Sequence, residues 1–142
     1  MKHFLTLCLL AVTLCAVAQE QTVKHVTIPQ IVDRTGQVPD AIKQMLRTSL
    51  TFAVARTSGY ECIDMSDNFQ DGNQTPKCAS YLLIAEVSPF MDGNVMVIAT
   101  LLDKETAQVI NAVPTTIVST KNLTELAKTF GQMGETLLTP QE

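Results

Sequence analysis

Three apolar segments, 81–88, 95–102 and 108–118, follow one another with only a few turn residues between them. Spacers that short cannot hold the crossover a parallel pair needs, so the segments must form an antiparallel meander. Asp92-Gly93-Asn94 is a hairpin signal between the first two, and Asp103 to Ala107 turns into the third. Tyr81 to Ser88 and Val95 to Leu102 read as buried strands. Pro114 has no N–H to give to a ladder and puts the third strand at an edge or a bulge.

Two helical patterns flank this meander. Ile42, Met45, Leu46, Ser49, Leu50, Ala53 and Val54 recur at three and four, which is one face of a helix from about Pro39 to Arg56. Pro39 and Asp40 suit its first turn, and Gly59 suits its end. A second helix starts near Asn122, with Glu125 as a capping-box partner. Its apolar face is Leu123, Leu126, Ala127, Phe130, Met133, Leu137 and Leu138, while Gly131 and Gly134 weaken it and invite fraying. Ahead of the first helix, residues 22–32 are β-branched, with Pro29 marking a strand end, bulge or edge and Asp33-Arg34-Thr35-Gly36 making a turn. Tyr60 to Met65 is a short strand. The order is β-α-β-β-β-β-α. It predicts an α+β fold whose mostly antiparallel sheet packs against two amphipathic helices. With neither repeat nor linker, residues 19–142 form a single domain.

Residues 1–18 read as an address. Lys2 and His3 precede an apolar run from Phe4 to Leu14, and Ala16 and Ala18 occupy the positions that a signal peptidase reads, so cleavage falls before Gln19. The run is too short for a bilayer, which takes about 20 apolar residues. The prediction is an exported protein with no transmembrane segment in the mature chain, periplasmic or else secreted. A lipid anchor through Cys15 is the lesser alternative, because Leu14 stands where a lipobox has a small residue. Loss of Lys2 and of no acid takes the formal net charge from -4 to -5. Nucleic acid is not an expected partner for so acidic a chain. Hydrophobic residues at 46% against 17% charged exclude a disordered acidic chain.

After cleavage Cys62 and Cys78 are the remaining cysteines, and in an oxidising compartment they read as a disulfide. It would close a loop rich in turn formers and stabilise by about 3 kcal/mol in the chain-entropy model. Two buried thiols are the alternative. Chemistry is sparse elsewhere. His25 is the one mature histidine and sits inside an apolar strand pattern, so no nucleophile–base–acid set is expected and no cofactor is implied. Asp64, Asp67 and Asp71 could offer oxygen ligands to calcium, but Phe69 breaks the EF-hand spacing and no closing Glu follows. Phe90 and Met91, beside Asp92, are unusual at a turn, which is normally polar. They are the candidate partner-binding residues, unless they fold back onto the core.

Several of these phrases resemble a known domain. Asp33-Arg34-Thr35-Gly36 before an amphipathic helix, the strand Tyr60 to Asp64, Tyr81 to Val87 leading into a hairpin, and Leu101 to Ile110 as a turn and strand are its parts. The chain is similar over most of residues 23–138 to the small periplasmic α+β domain of curli-secretion lipoproteins, penicillin-binding-protein activators and the N-terminal part of the Tol-system propeller protein. Ala107 and Ala85 stand where that domain commonly has Gly, and Met65 where Arg is common. The resemblance implies a non-catalytic binding or adaptor domain of a bacterial cell envelope, acting on another envelope protein. The competing class is a small-ligand or calcium-binding domain that uses the acidic loop 64–78.

Overall fold

The computed structural model describes residues 22–63 and 79–139. Their elements run β1 (Lys24–Thr27), α1 (Asp40–Arg56), β2 (Tyr60–Cys62), β3 (Tyr81–Phe90), β4 (Asn94–Asp103), β5 (Val109–Ser119) and α2 (Leu123–Leu138). This is the predicted order. The five strands form one sheet in the order β2-β1-β3-β4-β5. β1 is parallel to both of its neighbours, and β3, β4 and β5 form the antiparallel meander that carries most of the ladder.

β1 is shorter than the 22–32 stretch suggested. It stops two residues before Pro29, and pairing resumes at a single parallel bridge between Val32 and Glu86. β5 answers the question Pro114 raised in both ways. It is an edge strand, and its register against β4 slips between Val97 and Ala99, opposite Pro114. The missing N–H thus falls where the ladder is already broken.

Both helices lie on one face of the sheet. α1 buries Ile42, Leu46, Leu50, Ala53 and Val54. α2 buries Leu126, Phe130, Met133, Gly134, Leu137 and Leu138, with Leu123 outside that stripe and exposed. They meet Val26, Leu83, Ala85, Val87, Val95, Val97, Ala99 and Leu101, the inward parity of β1, β3 and β4. The α2 N-terminus is capped by one half of the expected box: the Asn122 side chain accepts from the Glu125 N–H at 3.2 Å, while the Glu125 side chain does not return a bond to Asn122. Its C-terminus is tied down as well. The Asn111 amide of β5 donates to the Thr136 and Leu137 carbonyls, each at 3.1 Å, which meets two of the groups a helix end leaves open.

Gly134 weakens helix propensity but is where α1 and α2 touch. A Cβ there would lie 2.5 Å from Ala53 Cβ and 3.3 Å from Leu50 Cδ2. Gly131, one turn away, has nothing within 4 Å of the same position.

Candidate functional site

Three regions bear on function: the β3–β4 tip, the outer sheet face, and the polar groups of β1 and β2. At the tip, β3 and β4 stay in register up to the Phe90–Asn94 pair and close through one 3-10 turn, Met91–Gly93. Asp92 takes φ 60° and Gly93 φ 76°, both left-handed, as a tight turn between twisted strands requires. The Thr120 hydroxyl, at the end of β5, donates to the Gly93 carbonyl at 2.5 Å and fixes the tip to the next strand. Phe90 and Met91 do not fold back onto the core. They are 41% and 74% exposed. Leu123, also exposed, follows Thr120 by three residues at the same end of the sheet.

The outer sheet face differs from the fully buried strands that the sequence suggested. Only the inward parity of β3 and β4 is covered by helices. The outward parity carries Leu82, Ile84, Glu86 and Ser88 on β3 and Met96, Ile98, Thr100 and Leu102 on β4, with Met96 opposite Ile117 of β5. Sheets with one wet face usually alternate apolar and polar residues; here both parities are apolar. Glu86 is the charged residue of these outward β3–β4 positions, and Arg34 holds it at 3.0 Å. Arg34 gets there through its turn. The Asp33 carboxylate accepts from the Thr35 and Gly36 N–H groups at 3.0 Å, from the Thr35 hydroxyl at 2.7 Å and from the Val38 N–H at 2.9 Å. The Thr35 hydroxyl is the largest influence and, with the Val38, Thr35 and Gly36 N–H groups, holds the Asp33 carboxyl below the usual carboxylate range, against a burial effect that exceeds any one of those N–H bonds.

The turn from β4 to β5 repeats the device. Asp103 Oδ1 accepts from the Glu105 and Thr106 N–H groups at 2.9 Å and from the Thr106 hydroxyl at 3.1 Å. Ala107, at the position where the resembled domain commonly has Gly, sits at φ 56°. The backbone therefore has the shape that glycine would favour, without the glycine.

His25 of β1 stands beside Glu61 of β2, with Nδ1 3.5 Å from Oε2, beyond good hydrogen-bond reach. Thr27 shares their face of the sheet, and its hydroxyl makes no hydrogen bond. A carboxylate, an imidazole and a hydroxyl on one face have the composition of a nucleophilic set. Thr27 is only 1% exposed, however, so no substrate reaches it. Lys24, on the opposite face, lies over the Tyr60 and Tyr81 rings at 5.4 and 5.8 Å from their centroids. A cleft of about 330 Å³ opens between Gln30, Ile31, Asp40, Lys43, Gln44 and Arg47. Lys43 reaches Asp40 at 2.7 Å, which raises its pKa. These mostly polar walls differ from the apolar lining of a small-molecule pocket.

Cys62 is half-buried and packs against the core, while Cys78 lies outside the described residues, as do Asp64, Asp67 and Asp71. Among the described residues, no group of three or more His, Cys, Asp or Glu side chains could hold a metal ion. No described helix is long and apolar enough to cross a membrane. The sequence reading missed the apolar outer face. Its signal was present, because Leu82-Leu83-Ile84-Ala85 and Val95 to Ala99 are apolar at both parities while two helices can cover one side only.

No protein-family model matches the chain, and a search of curated proteins returns no match. Solved structures do match in fold. The PelC dodecamer from Paraburkholderia phytofirmans has a TM-score of 0.53 at 18% identity, over 87% of this chain and 93% of that one. Lipoprotein GNA1162 from Neisseria meningitidis has a TM-score of 0.55 at 11% identity, over 81% of this chain and 99% of that one. TolB from Acinetobacter baumannii has a TM-score of 0.53 at 13% identity, over 82% of this chain but only 28% of that larger one. The chain thus shares the α+β fold of these proteins, TolB among them, as its short motifs suggested.

Proposed function

We propose that this protein is an exported, non-enzymatic interaction domain of a bacterial cell envelope, and that it binds another envelope protein through the β3–β4 tip. Residues 1–18 serve as the signal that delivers it to the periplasm. The observation that carries the reading is the tip itself. Phe90 and Met91 stand exposed on a turn whose backbone is fixed by two left-handed residues and by the Thr120 clamp. Burying a large apolar side chain is worth about 1.5–3 kcal/mol. The folded chain leaves that gain uncollected at two adjacent positions, and it has already met part of the ordering cost that a partner would otherwise impose. The fold shared with a lipoprotein and with TolB supports the envelope setting. The sealed Thr27 hydroxyl and the polar, paired cleft support a binding role over a catalytic one.

The test is recovery of partners from envelope extracts by the purified protein. A partner retained by the native chain and lost with Phe90→Ala/Met91→Ala, at unchanged stability, is the expected result. Identical recovery with both proteins would overturn the tip as the contact.

A further inference from the structure

We infer that the outer face of β3, β4 and β5 is a self-association surface, on which a second copy of this chain docks sheet face to sheet face about a two-fold axis. The inference goes beyond the tip contact and does not depend on it. It starts from parity. Ile84, Met96, Ile98, Leu102 and Ile117 all lie on the side away from the helices, in one block across three neighbouring strands. Ile98 at 38% and Ile117 at 50% exposure stand furthest into solvent.

Charge argues for a like partner. The chain carries a net -4, so two copies repel unless they meet where charge is absent or cancelled. This block is such a place. Glu86 is its charged group, Arg34 neutralises it at 3.0 Å, and the remaining outward β3–β4 residues are apolar or hydroxyl-bearing. An acidic or basic partner would find nothing here to pair with. A second copy would bring the same neutral, apolar surface, and across a two-fold axis each Arg34–Glu86 pair can face its counterpart.

Area is consistent with the same occupant. β3 and β4 have ten residues each and β5 has eleven. At ~3.4 Å per residue and ~4.8 Å between strands they present a flat footprint of roughly 500 Å². Counted on both copies this is about 1,000 Å² in total, the lower end of what a specific interface buries. Two sheets facing each other at about 10 Å would let the isoleucines and Met96 interdigitate as in a sandwich core. The open edge of β5 is the poorer route to pairing, because Pro114 and two register slips break its ladder.

Sedimentation equilibrium of the protein expressed from its full coding sequence tests the inference, with Ile98→Glu and Ile117→Lys as variants. Both side chains point into solvent in the single chain, so neither substitution disturbs the core, and thermal melts check this. The expected result is a native mass twice that of one chain, falling to one chain in both variants while each still melts cooperatively. Phe90→Ala/Met91→Ala keeps the doubled mass. A native protein that stays monomeric up to roughly 100 µM, which is weaker than specific interfaces of this size reach, overturns the inference. So does a dimer that survives both substitutions, because the contact would then lie elsewhere, for example along the β5 edge.

Discussion

Replacing Gly134 by alanine adds one methyl group where α1 and α2 cross. That methyl would lie 2.5 Å from Ala53 Cβ, against the 3.5–4.0 Å or so that carbon atoms keep in good contact. Ala53 Cβ is fixed to its backbone and cannot swing away, so the helices must part by about 1 Å. Parting them loosens the surrounding contacts of Leu50, Phe130 and Leu137, and overpacking of this kind costs about 3 kcal/mol at its upper end. Alanine returns about 1 kcal/mol of helix propensity. The net is a loss of about 2 kcal/mol, or roughly 8 °C in Tm for a domain of this size. Gly131→Ala is the internal control. It has open space at the same position, so it gains about 0.5–1 kcal/mol. Urea denaturation followed by circular dichroism reads both. Adding Ala53→Gly to Gly134→Ala removes the opposing methyl, and the double variant should be more stable than the sum of the single losses predicts. If Gly134→Ala is as stable as the native chain, or gains like Gly131→Ala, the close-crossing argument is wrong.

Other substitutions probe the turns and the cysteines. Ala107→Gly should stabilise by about 1 kcal/mol, because φ 56° strains alanine and suits glycine; an unchanged or lower Tm would refute this. Asp33 is more acidic folded than unfolded, where its carboxyl would titrate near 3.8, so its contribution is present above that pH and lost as pH falls through the lower folded value. Asp33→Asn should therefore show a shallower fall in Tm between about pH 5 and pH 3 than the native chain. Cys62 and Cys78 should resist alkylation in the exported protein until it is reduced, and immediate labelling of both would exclude the disulfide.

What the sequence made legible follows from periodicity and turn chemistry. The three-stranded meander, both helices and the Asn122 cap could be read because each rests on contacts within a few residues or on a repeat of two or 3.6. The parallel pairing of β1 with β2 and β3 was not legible. It is set by how α1 folds back over the sheet, and Lys24 to Thr27 carry no mark of strand direction. Gly134 looked like a weak point of α2 because propensity is local, whereas its reason lies across the helix crossing at Ala53. At the candidate site, Phe90 and Met91 could be named from sequence, since a turn flanked by strands has few ways to bury its tip. The Thr120 clamp on Gly93, 27 residues further along the chain than the glycine it holds, was not legible. Arg34 was legible as part of a turn, but not as the partner of Glu86, which a bridge at Val32 brings beside that turn.

The most direct test of the interaction reading places a photo-crosslinking residue at Met91 and illuminates intact cells, with the exposed α2 position Gln132 as the control. The account predicts one discrete protein adduct, heavier than two copies of this chain or otherwise distinct from a dimer, formed from position 91 and absent from position 132. No protein adduct from position 91, or the same adducts from both positions, would contradict it.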